Sequence, residues 1–302
     1  MGQQHRNEKI AKIFFLITGL IAVASVLLIT FFVFFQGLQP FFPFNKEGRY
    51  SFWKFISGLQ WKPNDEVAKA SYGILYMIVG SLFSTLGAVI LAVPIGILTA
   101  VYIAELAPRF VVKILQPAVE LLSGIPSVLF GVFGLGFIVP IIMKTSPYAR
   151  GQSLLAVILV LAVMILPIIV SLSVTALQAV PHAYREGSYA LGASKIHTIF
   201  HLVIPAARSG LLAGIVLGTG RGIGETMAVM MVAGNSGGGI PTSLWQQIRP
   251  LTVNIAMEMG YSSGLHQEML FATAVILFLF IFGINLILTK ITAKLGDVDV
   301  KF

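Results

Sequence analysis

Apolar residues in this chain come in long, nearly unbroken runs, not in the alternating stripes of half-buried elements, and a run of at least about 18 such residues crosses hydrocarbon as a helix. Spans are predicted at 13–35, 73–104, 111–143, 153–177, 209–233 and 269–289, six in all. Arg6, Lys9 and Lys12 precede the first run in the manner of a signal peptide. The run continues well past Ala22-Val23-Ala24, beyond the length of an h-region, so an uncleaved first span is expected.

Composition sharpens this picture. Of 302 residues, 57% are apolar and only 11% charged, against roughly 25% charged in soluble chains, which excludes a soluble globular domain. The net charge of +8 then points to anionic lipid headgroups and not to nucleic acid. With no Cys there is no disulfide, thiolate ligand or Cys nucleophile.

Lys and Arg set the direction of insertion. With the amino terminus inside, the inner segments carry eleven of them and the outer segments eight, a bias that favours both termini in the cytoplasm. The chain then divides into a cytoplasmic amino terminus (1–12), a first span (13–35), an extracytoplasmic or interfacial segment (36–72), a core of five spans (73–293) and a cytoplasmic tail (294–302). Within the core lies a cytoplasmic segment at 181–205. Phe52, Trp53, Phe55 and Trp61, among Lys46, Arg49, Lys54, Lys62 and Lys69, read as an amphipathic stretch at the interface.

Pro94, Gly124, Pro126, Gly131, Gly134, Gly136, Pro140 and Pro167 interrupt the spans. Such breakers either serve ordinary helix packing or face protein and water, because lipid leaves no partner for a freed backbone group.

The fifth span is the most informative. Gly210, Gly214, Gly218 and Gly222 recur every fourth residue and form a flat ridge for close helix contact. At about 100° per residue Arg221 and Glu225 lie roughly 40° apart, on the same face as the ridge. Two charges at midspan cost several kcal/mol each in lipid, so this face turns to protein or a hydrated path. The pair could merely neutralise itself. Against that, Arg precedes Glu, the weaker order for an i, i+4 pair, and an apolar pair would be cheaper to bury. A guanidinium fork suits phosphate and other oxyanions, with the carboxylate holding it until an anion arrives. Glu120, early in the third span, is either a snorkelling end charge or a pathway group.

Residues 181–205 are too polar to span, yet carry Tyr184, Tyr189, Leu191, Ile196, Ile199 and Phe200. Gly192 divides the segment into two short helices. Exposed aromatics tethered between spans make a lever for a soluble partner, or an amphipathic surface resting on the membrane.

Glu186-Gly187-Ser188, Gly192 and Leu202-Val203-Ile204-Pro205 keep the spacing of the EAA loop of ABC importer permeases, which this segment resembles, with Gly187 and Ser188 in place of two alanines. Gly220 to Val229, Ala233-Gly234-Asn235, Val119 to Ser127 and Asn254 to Gly260 resemble the PstC-type permease subunit of phosphate ABC importers. This resemblance covers most of the chain. It implies an all-α membrane protein of six spans with the type I importer permease fold, multi-pass in a prokaryotic cytoplasmic membrane. It also implies a sister PstA-type permease, an ATPase dimer inside that carries ATP-Mg, an extracytoplasmic phosphate-binding protein and a lipid surround. Arg221, Glu225 and Glu120 would then line the substrate path. Glu186, Gly187, Ser188, Gly192, Leu202, Ile204 and Pro205 would meet the ATPase.

The chain contains no Gly-Lys dipeptide, hence no Walker A loop, and any ATP is handled by another polypeptide. His197 and His201 have a zinc-protease spacing, but Thr198 occupies the position where the general-base Glu would be needed, so they read as surface histidines and no metal site is assigned. The 234–239 loop is either flexible connection or a backbone cradle for an anion. No nucleophile and base pair stands in the spans, so no catalytic residue and no cofactor are expected. An autonomous anion channel or secondary oxyanion transporter is the alternative reading, because a charge pair in a pore would serve it equally well.

Overall fold

The computed structural model describes residues 2–42, 50–64, 69–237 and 239–296. Among these, six helical stretches are long and apolar enough to cross a membrane: Ala11–Phe41, Leu75–Leu106, Ser127–Thr145, Leu154–Gln178, Lys195–Gly224 and Gly264–Lys290.

The core is organised around α7 (Leu154–Gln178), which is apolar on every side and two-thirds buried, as expected for a helix that meets protein all round. Its amino terminus is capped by Ser153, whose Oγ accepts the Ala156 N–H at 3.3 Å. On one flank packs α3 (Leu75–Val101), where Gly87 lies against Ile158 and Gly96 against Ile169. On the other packs α10 (Ile204–Gly224), with Gly210 over Ala176, Gly214 over Leu172, Gly218 over Ile169 and Gly222 over Ile165. Lipid is as apolar as Leu, so helices associate through such close approach and not through expulsion of water.

Two predicted spans differ in the structure. The third, expected as one run over 111–143, is divided at Ile125-Pro126: α4 (Arg109–Gly124) is a separate amphipathic helix with no buried residue. The crossing is made by α5 (Ser127–Phe133), a π turn at Gly134–Ile138 and α6 (Val139–Thr145). Pro126 explains the break, since it forces Ile125 into extended backbone. The fifth, expected over 209–233, starts earlier and stops at Gly224. Glu225 is extended (φ −70°, ψ 130°), and a short α11 (Met227–Val232) follows. Three glycines at 220, 222 and 224 weaken the helix at its end.

The first helix, α1 (Gly2–Leu38), touches α13 (Gly264–Gly296) through edge-on pairs Phe32–Phe271 and Phe34–Phe278. Between α1 and α3 the chain makes α2 (Phe52–Ser57) and a hairpin of β1 (Trp61–Lys62) with β2 (Ser71–Tyr72). Phe55 and Trp61 are buried in protein here, while Phe52 and Trp53 are exposed, so only half of the aromatic set is free to meet an interface. Lys46 and Arg49 lie outside the described residues, as do 297–302 of the expected tail.

A Cβ added at Gly210 would overlap the Ala176 Cβ, and neither atom can swing away. Gly210→Ala is therefore expected to destabilise the chain by about 1–3 kcal/mol. Ala176→Gly in the same chain should recover most of that loss, read as the thermal unfolding midpoint of the purified complex.

Candidate functional site

Gly222 lies against Ile165, the middle of α7, so α10 ends near the midplane of the span layer. The break is satisfied from within the protein. Glu225 N–H donates to Gly222 O, Thr226 Oγ1 to Gly224 O at 3.2 Å and Thr252 Oγ1 to Glu225 O at 3.1 Å. The Glu225 carboxylate turns forward and accepts the Ala228 N–H at 3.1 Å, closing the first turn of α11. Ser81, Ser84 and Thr85 of α3 are buried beside it and, with Glu225 and Thr252, line a gap of about 10 Å³.

Arg221 therefore does not pair with Glu225 as one continuous helix would require. It is exposed and makes no ion pair among the described residues. The result is a guanidinium at mid-depth, in the last turn of a helix whose carbonyl end favours a cation, with its donors available to an oxyanion. Glu120 is elsewhere. It is exposed on α4, accepts from Gln116 Nε2 at 3.4 Å and borders a concavity of about 90 Å³ with Ser171, Thr175 and Gln178, near the far end of α7.

At that end the 181–205 segment folds as α8 (His182–Ala190), a turn with Gly192 at φ +83°, α9 (Lys195–Thr198) and a π turn, Ile199–Val203, that leads into α10. Positive φ explains a glycine at 192. Ser188 Oγ and Thr198 Oγ1 meet at 2.8 Å across the turn. Leu202 and Ile204 are half-buried, and Glu186, Gly187 and Pro205 are exposed. Leu191, Tyr184, Ile196 and Phe200 leave an exposed apolar surface on the same segment. His197 and His201 stack on one another, also exposed.

The anchor of this segment was not legible in the sequence. Arg185 is buried, with Nη2 2.5 Å from Glu105 Oε1 and 3.0 Å from Leu177 O, and Nη1 2.6 Å from Val180 O. It thus ties α8 both to the π turn that ends α3 (Tyr102–Leu106) and to the Leu177 and Val180 carbonyls at the end of α7. At the opposite face, Glu258 on α12 (Leu251–Glu258) accepts from Trp61 Nε1 at 2.6 Å, meets His266 Nε2 at 2.8 Å and pairs with Arg249. This joins the hairpin to α12 and α13. Partial desolvation, then the nearby Glu258 charge, push the Tyr261 hydroxyl above its ordinary pKa. Ser81, Ser84 and Thr85 had a readable signal, a polar i, i+3, i+4 stripe in an apolar run; Glu105 and Arg185, 80 residues apart, had none.

Residues 92–296 match the family of binding-protein-dependent transport system inner membrane components. The probable ABC transporter permease protein YqgH of Bacillus subtilis is 41% identical over 245 residues, covering 81% of this chain and 77% of that protein. The phosphate transport system permease protein PstC of Mesorhizobium japonicum is 34% identical over 268 residues, 80% of each chain. Among solved structures, a bacterial ABC transporter that imports the acidic polysaccharide alginate superposes with a TM-score of 0.65 over 95% of this chain and 98% of that one, at 15% identity. The MetNI methionine ABC transporter gives 0.54 over 74% and 94%, at 19% identity. These structures share the fold.

Arg185→Ala should cost about 3–5 kcal/mol by leaving Glu105 buried without its counter-charge, and the double replacement Arg185→Met with Glu105→Leu should cost less. Thermal unfolding of the two variants beside the wild type checks both.

Proposed function

The chain belongs to the family of binding-protein-dependent transport system inner membrane components, and on that premise we propose that it is the PstC-type permease of an ATP-driven phosphate importer. Members of such a system work with a binding protein and with a separate ATPase. The observation that carries the phosphate reading is Arg221, a mid-depth guanidinium without a carboxylate partner among the described residues. It stands in a chain whose relatives at 32–34% identity are named for phosphate transport.

In this reading a sister PstA-type subunit covers the exposed side of α10 and completes the path. Glu225 holds the helix break by capping α11, and Arg221 offsets the charge of the anion where hydrocarbon would otherwise exclude it. Glu120 borders the inner exit. The short helices bearing Glu186, Gly187, Ser188, Gly192, Leu202, Ile204 and Pro205 dock on an ATPase dimer that binds ATP-Mg. Arg185 transmits its movement to α3 and α7 together, so the spans rock between two arrangements. Alternation of six spans puts both termini on the ATPase side, the cytoplasm, of a prokaryotic inner membrane. The segments 1–12, 36–72 and 294–302 then flank a core of five spans as inner terminus, outer segment and inner tail.

Cells that lack this gene, given labelled phosphate at low concentration, should regain uptake with the wild-type chain and lose it on ATP depletion. Arg221→Ala should lower uptake by about tenfold or more while inserting normally, as expected for the loss of a charge-assisted contact. Uptake that survives ATP depletion would instead point to a channel or an ion-coupled carrier.

A further inference from the structure

The end of α7 opposite the 181–205 segment carries a second polar concavity, of about 360 Å³, lined by Tyr148, Arg150, Ser236, Trp245, Gln246 and Gln247. Three segments of chain meet there and each is fixed by backbone bonds to the start of α7. Leu154 N–H donates to Gln246 O at 2.7 Å, Leu155 N–H to Leu244 O at 2.8 Å and Ser153 N–H to Val232 O at 3.1 Å. Gln152 Nε2 donates to Met231 O at 3.0 Å, and Ile248 N–H to Ala233 O at 3.0 Å. Gly151 is buried so tightly on Val139 O that no side chain fits, and Ala149 before it takes a positive φ of 51°. The loop that bears Arg150 is therefore braced on the α7 side of the arginine, through Gly151, Gln152 and Ser153.

Donors dominate the lining. Arg150 makes no ion pair among the described residues, and no carboxylate lines the concavity. Gln246 Oε1 is taken by the Thr242 N–H at 2.7 Å, which leaves its Nε2 free to donate. Tyr148, Ser236 and Trp245, which also line it, each carry a hydroxyl or indole donor. Gln247 packs on Gly234, whose φ of +78° lets the backbone pass beneath it. A tetrahedral oxyanion seeks this set: one guanidinium fork and several neutral donors, without a competing negative charge. From α7's first turn to Ile165, beside which Arg221 stands, is about 17 Å along the helix axis.

We infer that this concavity is an outer oxyanion site, distinct from Arg221, which receives the anion from the binding protein before it moves to mid-depth. The inference rests on the importer reading above for its ligand, and its direct readout does not depend on transport. Arg150 raises the local concentration of the anion at the mouth of the path. An acidic side chain of a docked protein would seek the same donors, and the comparison of loaded with unloaded binding protein separates the two.

Trp245 supplies the probe. In the assembled importer in lipid nanodiscs, titration with inorganic phosphate at constant ionic strength should produce a saturable change in tryptophan fluorescence that Trp245→Phe abolishes. Arg150→Gln should weaken the apparent affinity about tenfold, the loss of a charge-assisted hydrogen bond, and Gln247→Leu should weaken it less. In transport, Arg150→Gln should raise the concentration of loaded binding protein needed for half-maximal uptake, with affinity for unloaded binding protein unchanged. The site is overturned if chloride produces the same change, if Arg150→Gln titrates like the wild type, or if Arg150→Gln weakens loaded and unloaded binding protein equally, which marks a docking contact. Saturable binding in a wild-type complex that imports no phosphate would remove the importer reading and leave the site standing. Normal import with no Trp245 response would do the reverse.

Discussion

The contact between α7 and α10 sets the position of everything else. Gly210, Gly214, Gly218 and Gly222 let α10 lie with its backbone against Ala176, Leu172, Ile169 and Ile165, and in lipid such close packing is the main force that holds helices together. Because the register is set by four successive contacts, the end of α10 is fixed at the level of Ile165, half-way along α7. Gly96 of α3 meets Ile169 from the other side, so the same residue of α7 locates both neighbours. A shift of one helix must carry the others with it.

That geometry places a helix break where a membrane protein tolerates one least, and the protein offsets its cost locally. Gly224 ends the helix, Thr226 and Thr252 donate to the carbonyls of Gly224 and Glu225, and the Glu225 side chain caps α11. Non-helical backbone at this depth is tolerated only within protein or along a water-filled cavity. Arg221, left without an ionic partner among the described residues, is the group for which such a cavity has a use. At the carboxyl end of α7 the buried Arg185–Glu105 pair ties α8 to α3, and at the opposite face the Glu258 cluster joins the hairpin to α12 and α13.

The fold was largely legible from the hydrophobic pattern, because a bilayer allows few spanning structures and a long apolar run announces one. The limits of that pattern are local. Hydropathy carried the third and fifth spans through Ile125-Pro126 and Gly224–Thr226, since apolar residues continue across both; Pro126 and the glycines at 220, 222 and 224 held the contrary signal. The same error placed Glu225 beside Arg221, when its carboxylate serves the next helix. Gly192 was readable as a divider because a turn with positive φ selects glycine. Arg185 with Glu105, and Trp61 with Glu258, were not, since each pair is made by tertiary packing between residues far apart in the chain. The concavity around Arg150 was hidden for the same reason.

Whether Arg221 faces an aqueous oxyanion path, as proposed, or lipid is directly measurable, because the chain contains no Cys. Gly224 has open space around its Cα and is exposed close to Arg221, so Gly224→Cys introduces a single thiol without removing the guanidinium. In the assembled importer during ATP turnover, a water-soluble, membrane-impermeant thiol reagent should modify this cysteine, as read by the mass of the chain. Phosphate should slow the modification, and Arg221→Ala should abolish that protection. Modification by lipid-soluble reagents alone, indifferent to phosphate, would place Arg221 against lipid and outside any oxyanion path.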